Sequence, residues 1–347
     1  MFKLLHNKPE VELFIITQSN LIIINKKKEL IKINDKNGGD EMFSQLNSFC
    51  KLITSGHYLY TSDNNNEAEN YCFDVYSGKL ISDFYMVSFI NHSGDSIYKA
   101  FHLKSGGVEI YDIAANKKIK FLEGKFSLNN FLTKQYFIFN KRGTSDILLF
   151  TQNSQEPNWQ TDLSFYGQIR KILGVAEELL WISCMSSDEN RNTKAHLIAL
   201  ELKTGKIIHY LSDGLPLHEV HVELLEDKQR IVSIWGKMSS HGPSESPFVE
   251  INALTGEVLR NTYSQSMYNA NLKLGAWKYL NDKIYFDAAF DTINSTHIGV
   301  MDYLTLEVEW LTEVIDRKAG LRNLQVTEDK IYIMDSGNQL FVYEKEQ

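Results

Sequence analysis

What most constrains this chain is a six-residue turn pattern that recurs between short apolar runs. A polar residue, two spacers, a small residue, Gly or a substitute, and then a charge read as Asp74-Val75-Tyr76-Ser77-Gly78-Lys79, Asp112-Ile113-Ala114-Ala115-Asn116-Lys117 and Glu201-Leu202-Lys203-Thr204-Gly205-Lys206. Two further copies are Asn252-Ala253-Leu254-Thr255-Gly256-Glu257 and Asp302-Tyr303-Leu304-Thr305-Leu306-Glu307. The fifth positions recur at roughly 40–50 residues, with one double gap between Asn116 and Gly205, and a strand-built period of that length is the mark of a β-propeller.

Aromatic and β-branched second strands follow the same period. They are Tyr58–Tyr60, Ile97-Tyr98, Tyr136–Phe139, Leu179–Ile182, Ile231–Trp235, Ile284–Phe286 and Ile331–Met334, several of them preceded by turn formers such as Ser55-Gly56-His57, Ser93-Gly94-Asp95 and Asn281-Asp282-Lys283. With the strands that flank the turn pattern, each repeat makes a four-stranded antiparallel blade. An additional unit, with its second, third and fourth strands at Leu13–Thr17, Leu21–Asn25 and Glu29–Ile33, brings the count to eight, with seven as the alternative. The last repeat stops after Gln339–Tyr343, so Phe2–His6 is expected to supply its fourth strand and to close residues 1–347 into one all-β domain.

The Gly-containing copies, Ser77-Gly78-Lys79-Leu80, Thr204-Gly205-Lys206-Ile207 and Thr255-Gly256-Glu257-Val258, resemble the repeat of the pyrroloquinoline-quinone-like and WD-type propeller superfamily. The resemblance implies a fold. In that family a Trp shortly after the turn locks neighbouring blades; the matching positions here are Phe84, Tyr210, Tyr263 and Trp310. Quinone-dependent members resemble one another in an adjacent cysteine pair and a secretory signal, neither of which stands in this sequence, so no cofactor is expected.

Charge and cysteine usage narrow the function classes. A net charge of −8 disfavours non-specific binding to nucleic acid or anionic membrane. Cys50, Cys72 and Cys184 are odd in number and widely spaced, which fits a reducing compartment and a cytoplasmic protein. No stretch approaches the roughly 20 apolar residues of a membrane helix.

Candidate chemistry is sparse. In His218–Glu223, strand alternation would put Glu219, His221 and Glu223 on one face, a weak metal-ligand set whose commoner meaning is a polar strand. Asp287, Asp291, Ser295 and His297 invite a hydrolase reading with His297 as base. Length is instead spent on polar connections at 62–70, 185–194, 236–247 and 287–297, expected on one side of the fold. Their acids, Asp63, Glu67, Glu69, Asp188, Glu189, Glu245, Asp287 and Asp291, form the expected binding face. The sequence therefore points to a non-enzymatic protein-binding propeller, in a narrower form an inhibitor or immunity-type protein for a basic partner. The alternative is a hydrolase or lyase acting on a carbohydrate or lactone at the central channel.

Overall fold

The computed structural model describes the chain apart from residues 18–19, 28, 34–39, 46–50, 56–57, 63–68, 75–79, 86–91, 95–97, 103–106, 113–114, 116, 190–192, 213, 219, 236–245, 291–293 and 347. The side chains of residues 51–97 are likewise not described. Among the described residues lie eight sheets, six of them four-stranded. In chain order the first holds Val11–Thr17, Asn20–Asn25, Glu29–Ile33 and Asp40–Gln45, and the second Lys51–Ser55, Tyr58–Ser62, Glu69–Asp74 and Leu80–Tyr85. Three strands, Tyr98–His102, Val108–Asp112 and Lys117–Leu122, make the third. The fourth holds Phe126–Leu132, Tyr136–Lys141, Asp146–Thr151 and Trp159–Asp162, with His92–Gly94 added, and the fifth Gln168–Ala176, Leu179–Ser187, Thr193–Glu201 and Ile207–Leu211. The sixth comprises Val222–Leu225, Arg230–Ile234, Pro247–Asn252 and Val258–Tyr263, and the seventh Leu272–Leu280, Lys283–Phe290, His297–Asp302 and Val308–Glu313. In the eighth, Leu321–Val326, Lys330–Asp335 and Leu340–Lys345 are joined by Phe2–Lys8. The chain divides into two compact units, Leu13–Ser212 and Met1–Glu12 with Asp213–Gln347.

The recurrent hexapeptide works by local hydrogen bonding. In Asn252–Glu257 the Asn252 Oδ1 accepts from the N–H groups of Leu254 (2.9 Å) and Thr255 (3.2 Å), and the Thr255 hydroxyl accepts from Glu257 N–H (3.3 Å). Asp302 does the same for Leu304 (3.0 Å) and Thr305 (2.9 Å), with Glu307 N–H on Thr305 (3.3 Å). These donors hold the Asp302 carboxyl well below the usual carboxylate range, Thr305 N–H first and the Lys283 ammonium next. The fifth residue must then turn left-handed: φ is 71° at Gly205, 69° at Gly256 and 59° at Leu306. Leucine at that position carries steric cost, offset by burial of its side chain, 4% exposed, in the sixth-to-seventh sheet core.

The turns Glu201–Lys206 and Asp302–Glu307, and a turn after Thr151, are also docking points for the preceding sheet. Within residues 13–212, Lys120 on the last strand of the third sheet is buried and donates to the carbonyls of Thr151 (2.7 Å) and Ser154 in the fourth. Trp159 Nε1, on the last strand of the fourth sheet, donates to Leu202 O (2.7 Å), and Thr161 Oγ1 to Gly205 O (2.7 Å). A Cβ on Gly205 would lie 2.6 Å from the Trp159 ring, so glycine serves both the φ and the contact. Apolar side chains fill the space behind these bonds, with Ile138, Leu149, Leu180, Ile182 and Ile198 in one cluster of the fourth and fifth sheets.

In the other unit, Arg260 on the last strand of the sixth sheet takes the same role. Its guanidinium donates to Tyr303 O (3.0 Å) and Leu304 O (2.9 Å) and lies over the rings of Phe248 and Tyr303. Its Nε bonds Glu250, whose other oxygen accepts from Tyr303 OH at 2.6 Å. Burial, and then the neighbouring Glu250, push the Tyr303 phenol above its ordinary range. In the eighth sheet Phe2–Lys8 runs antiparallel to Leu340–Lys345, with Phe2 opposite Lys345 and Lys8 opposite Leu340. Phe2 is buried against Tyr285 and Trp310, so the aromatic that follows the turn in the seventh sheet does meet its neighbour.

Three features depart from the reading of the sequence. The strands at 20–25 and 29–33 are the second and third of their sheet rather than third and fourth, because Asp40–Gln45 pairs beyond them. Ser93 and Gly94, expected in a turn, form a short strand parallel to Phe126–Leu132 and occupy the edge the fourth sheet would otherwise leave open. His218 Nδ1 accepts from the N–H groups of Val220 (3.2 Å) and His221 (3.3 Å), so the chain bends at Val220 and His221 and the strand begins only at Val222.

Gly205→Ala is expected to cost about 2–4 kcal/mol, from the left-handed φ and the collision with Trp159 together; urea unfolding measures it, and a loss under about 0.5 kcal/mol would contradict the docking role. Deletion of residues 1–8 removes a whole strand and the buried Phe2, and differential scanning calorimetry should record a melting temperature several degrees lower.

Candidate functional site

One end of the fourth and fifth sheets gathers the features most suited to contact. The hairpin 141–146, the three-residue 3-10 turn Ser164–Tyr166 and the connection after Ser187 all lie at this end, since Gln168, which opens its strand, pairs with Met185 near the close of the next. Between the hairpin and the 3-10 turn is a cavity of about 650 Å³, lined by residues that include Asn140, Thr144, Asp146, Asp162 and Ser164. Asp162 is held below the usual carboxylate range because Ser164 donates to it twice, through its N–H (2.7 Å) and its hydroxyl (2.9 Å).

Beside the cavity, aromatic rings run from solvent into the sheet. Phe165 is 87% exposed and stands edge-on to Tyr166 (5.1 Å), whose ring lies 4.9 Å from Tyr210. Tyr210 OH bonds His196 Nδ1 (3.0 Å), and His196 Nε2 bonds Ser186 Oγ (2.6 Å). Strand alternation puts Ser186, His196 and Tyr210 on one face, and the buried His196 anchors the exposed rings to the sheet. Gly167 lets the 3-10 turn lie flat against Met185 and Ser186: a Cβ there would come 2.2 Å from Met185 O.

The residues singled out from sequence divide into three groups. Asp188 and Glu189 are exposed and follow the strand that carries Ser186. Glu69 lies in the strand Glu69–Asp74; Asp63, Glu67, Glu245, Asp291 and Glu219 lie outside the described residues. The others have different surroundings from those expected. Asp287 is not a loop acid: its strand continues to Phe290, and the side chain, 3% exposed, accepts from the Ser295 hydroxyl and the Ala276 N–H. Glu223 pairs with Lys278 (3.2 Å) and His221 packs against His218 at 4.5 Å; of the described members of the expected metal set, only Glu223 lies within the strand. In the hydrolase set Ser295 meets Asp287, but Asp287 and His297 are separated. Asp287 sits opposite Ile298 and His297 opposite Ala288, so the two side chains leave the sheet on opposite faces, and His297 Nδ1 meets Thr296 Oγ1 (2.8 Å).

Sequence reading missed two signals. Buried polar residues stand within the second strands at Asn140, Ser183, Ser233 and Asp335, where apolar neighbours hid them. Asp335 shows their use: it accepts from Lys318 N–H (2.6 Å) and Gln339 N–H (2.9 Å), tying two loops to one carboxylate. The other signal was an aromatic pair, Phe165-Tyr166, inside an otherwise polar inter-sheet turn.

No protein-family model matches the chain, and no curated protein matches it in sequence. Solved structures do resemble it. The C-terminal WD40 domain of Sif2 is similar with a TM-score of 0.66 at 12% identity, covering 100% of this chain and 99% of that one. The computationally designed Ika8 protein gives 0.61 at 8% identity (97% and 96% covered), and BamB from Moraxella catarrhalis 0.55 at 11% (100% and 98%). These likenesses give the fold: the chain is an all-β propeller of four-stranded antiparallel blades.

Burial raises the Asp287 carboxyl to about 6 from 3.8. A carboxyl raised on folding favours the native state fully below the unfolded value and loses that contribution as pH rises through the folded one. Stability relative to Asp287→Asn should therefore fall between about pH 4 and pH 6 and level off above; a difference that stays flat across this window in thermal melts would refute the assignment.

Proposed function

We propose that this propeller is a non-enzymatic protein-binding module whose contact surface includes the end of the fourth and fifth sheets. The observation that carries the reading is Phe165, an aromatic ring 87% exposed yet fixed through Tyr166 and Tyr210 to a buried histidine. Large rigid side chains that are held in place lose little entropy on binding, which is why they dominate the energetics of interfaces. Acids surround it: Asp146 and Asp162 at the cavity, Asp188 and Glu189 beyond Ser186. With the net charge of −8, they favour a basic partner, in the narrower form one that is neutralised by an inhibitor or immunity-type protein. A reducing, cytoplasmic setting agrees with the sparse cysteines.

Affinity capture from the native host with the intact chain and with Phe165→Ala tests the contact surface. The partner should be retained by the first and lost at least tenfold by the second, with unchanged circular dichroism. Asp188→Lys with Glu189→Lys should slow association with that partner about tenfold at low ionic strength and much less at 0.5 M salt. Equal capture by all variants would overturn the placement of the surface.

A further inference from the structure

The chemistry of the cavity specifies what it can hold. Its polar groups present acceptors and almost no hydrogens. Asn140 is 6% exposed, and its Nδ2 donates to Lys141 O (3.3 Å), Thr144 O (3.2 Å) and Asp146 O (3.1 Å). Among the described residues the Asn140 Oδ1 accepts no hydrogen bond, and the side chain lines the cavity. The hydroxyl hydrogens are committed elsewhere: Ser145 to Gly167 O (2.6 Å), Thr144 to Asp146 Oδ2 (2.9 Å) and Ser164 to Asp162 Oδ2 (2.9 Å). Neither Asp146 nor Asp162 has a cationic partner among the described residues. Only Gln168, exposed at the rim, brings a side-chain amide that can donate.

An anion would face carboxylates and lone pairs. A neutral acceptor would find only the Gln168 amide as a side-chain donor. A planar cation with several N–H groups satisfies the unpaired Asn140 oxygen and both carboxylates at once, and 650 Å³ lies within the size range of ligand pockets. Two further features select a side chain on a protein over a free ion: Ile169 gives the lining an apolar surface for a methylene stem, and Phe165, next in sequence to Ser164, offers an exposed ring face at the margin.

We propose that this cavity is the receptor for an arginine side chain of the protein partner, its guanidinium bonded by Asp146, Asp162 and Asn140. The proposal rests on the reading of this end as a protein-binding surface and names the chemistry it recognises. A lysine would reach the same charges as a point cation but could not span the three acceptors in one plane.

The probe is acetyl-Gly-Arg-Gly-amide titrated into the intact chain by calorimetry, with the citrulline peptide, which has the same shape but no charge, and the lysine peptide as comparisons. The arginine peptide should bind in the millimolar range or tighter, the citrulline peptide at least tenfold more weakly and the lysine peptide between them. Asp146→Asn with Asp162→Asn should abolish the difference between arginine and citrulline. Asn140→Asp, which places a charge where Oδ1 stands, should tighten the arginine peptide if the fold is retained. Equal binding of arginine and citrulline, or calcium binding with no arginine binding, would overturn the proposal. If the arginine peptide fails while Phe165→Ala still loses the natural partner, the guanidinium receptor falls and the binding surface stands. If the peptide binds while Phe165→Ala captures normally, the reverse holds.

Discussion

The structure depends on one repeated interaction, a donor side chain from the last strand of a sheet placed on backbone carbonyls of a turn in the next. Lys120, Trp159 and Arg260 perform it with three different chemistries, an ammonium, an indole and a guanidinium. What they share is position. Each ties off carbonyls that a tight turn leaves without strand partners, beside the apolar packing between sheets. Loss of such a donor leaves part-buried carbonyls such as Thr151 O and Leu202 O unsatisfied, so the clasp is more costly to break than its own hydrogen bond is worth.

This explains why the fold was legible while its exact frame was not. The hexapeptide turns are readable because their chemistry is local: Asn252 or Asp302 caps two N–H groups, and the fifth residue turns left-handed. Gly205 and Gly256 advertise that conformation; Leu306 does not, because its side chain answers to the neighbouring sheet rather than to its own backbone. Strand frame is a non-local property. The first sheet begins at Val11 instead of finding its first strand elsewhere, and only the pairing of Glu29–Ile33 with Asp40–Gln45 decides it. His218 shows the same limit on a shorter scale, since a ring nitrogen that accepts two backbone N–H groups turns an alternating pattern into a bend.

The candidate site was legible only in part. Asp188 and Glu189 are exposed as their loop composition implied, but Asp287 shares that composition and is buried, because three more residues of strand follow it and Ser295 folds back on it. Asn140 was invisible for the opposite reason: in Tyr136–Lys141 it follows four apolar residues and reads as the end of a core strand. Its role emerges only from three carbonyls that the hairpin brings around one amide.

The pairing of Phe2–Lys8 with Leu340–Lys345 also has a temporal side. The earlier member of this pair waits for the later one. At about 5–20 residues per second, a ribosome takes roughly 20–70 s to reach the partner strand. Through that interval the sequence Phe2-Lys3-Leu4-Leu5 has no strand to join, and it carries three apolar side chains of which Phe2 ends buried. Lys3 within this stretch and Lys8 just after it carry charge in every conformation, a safeguard against edge-to-edge association that serves the nascent chain more than the finished sheet.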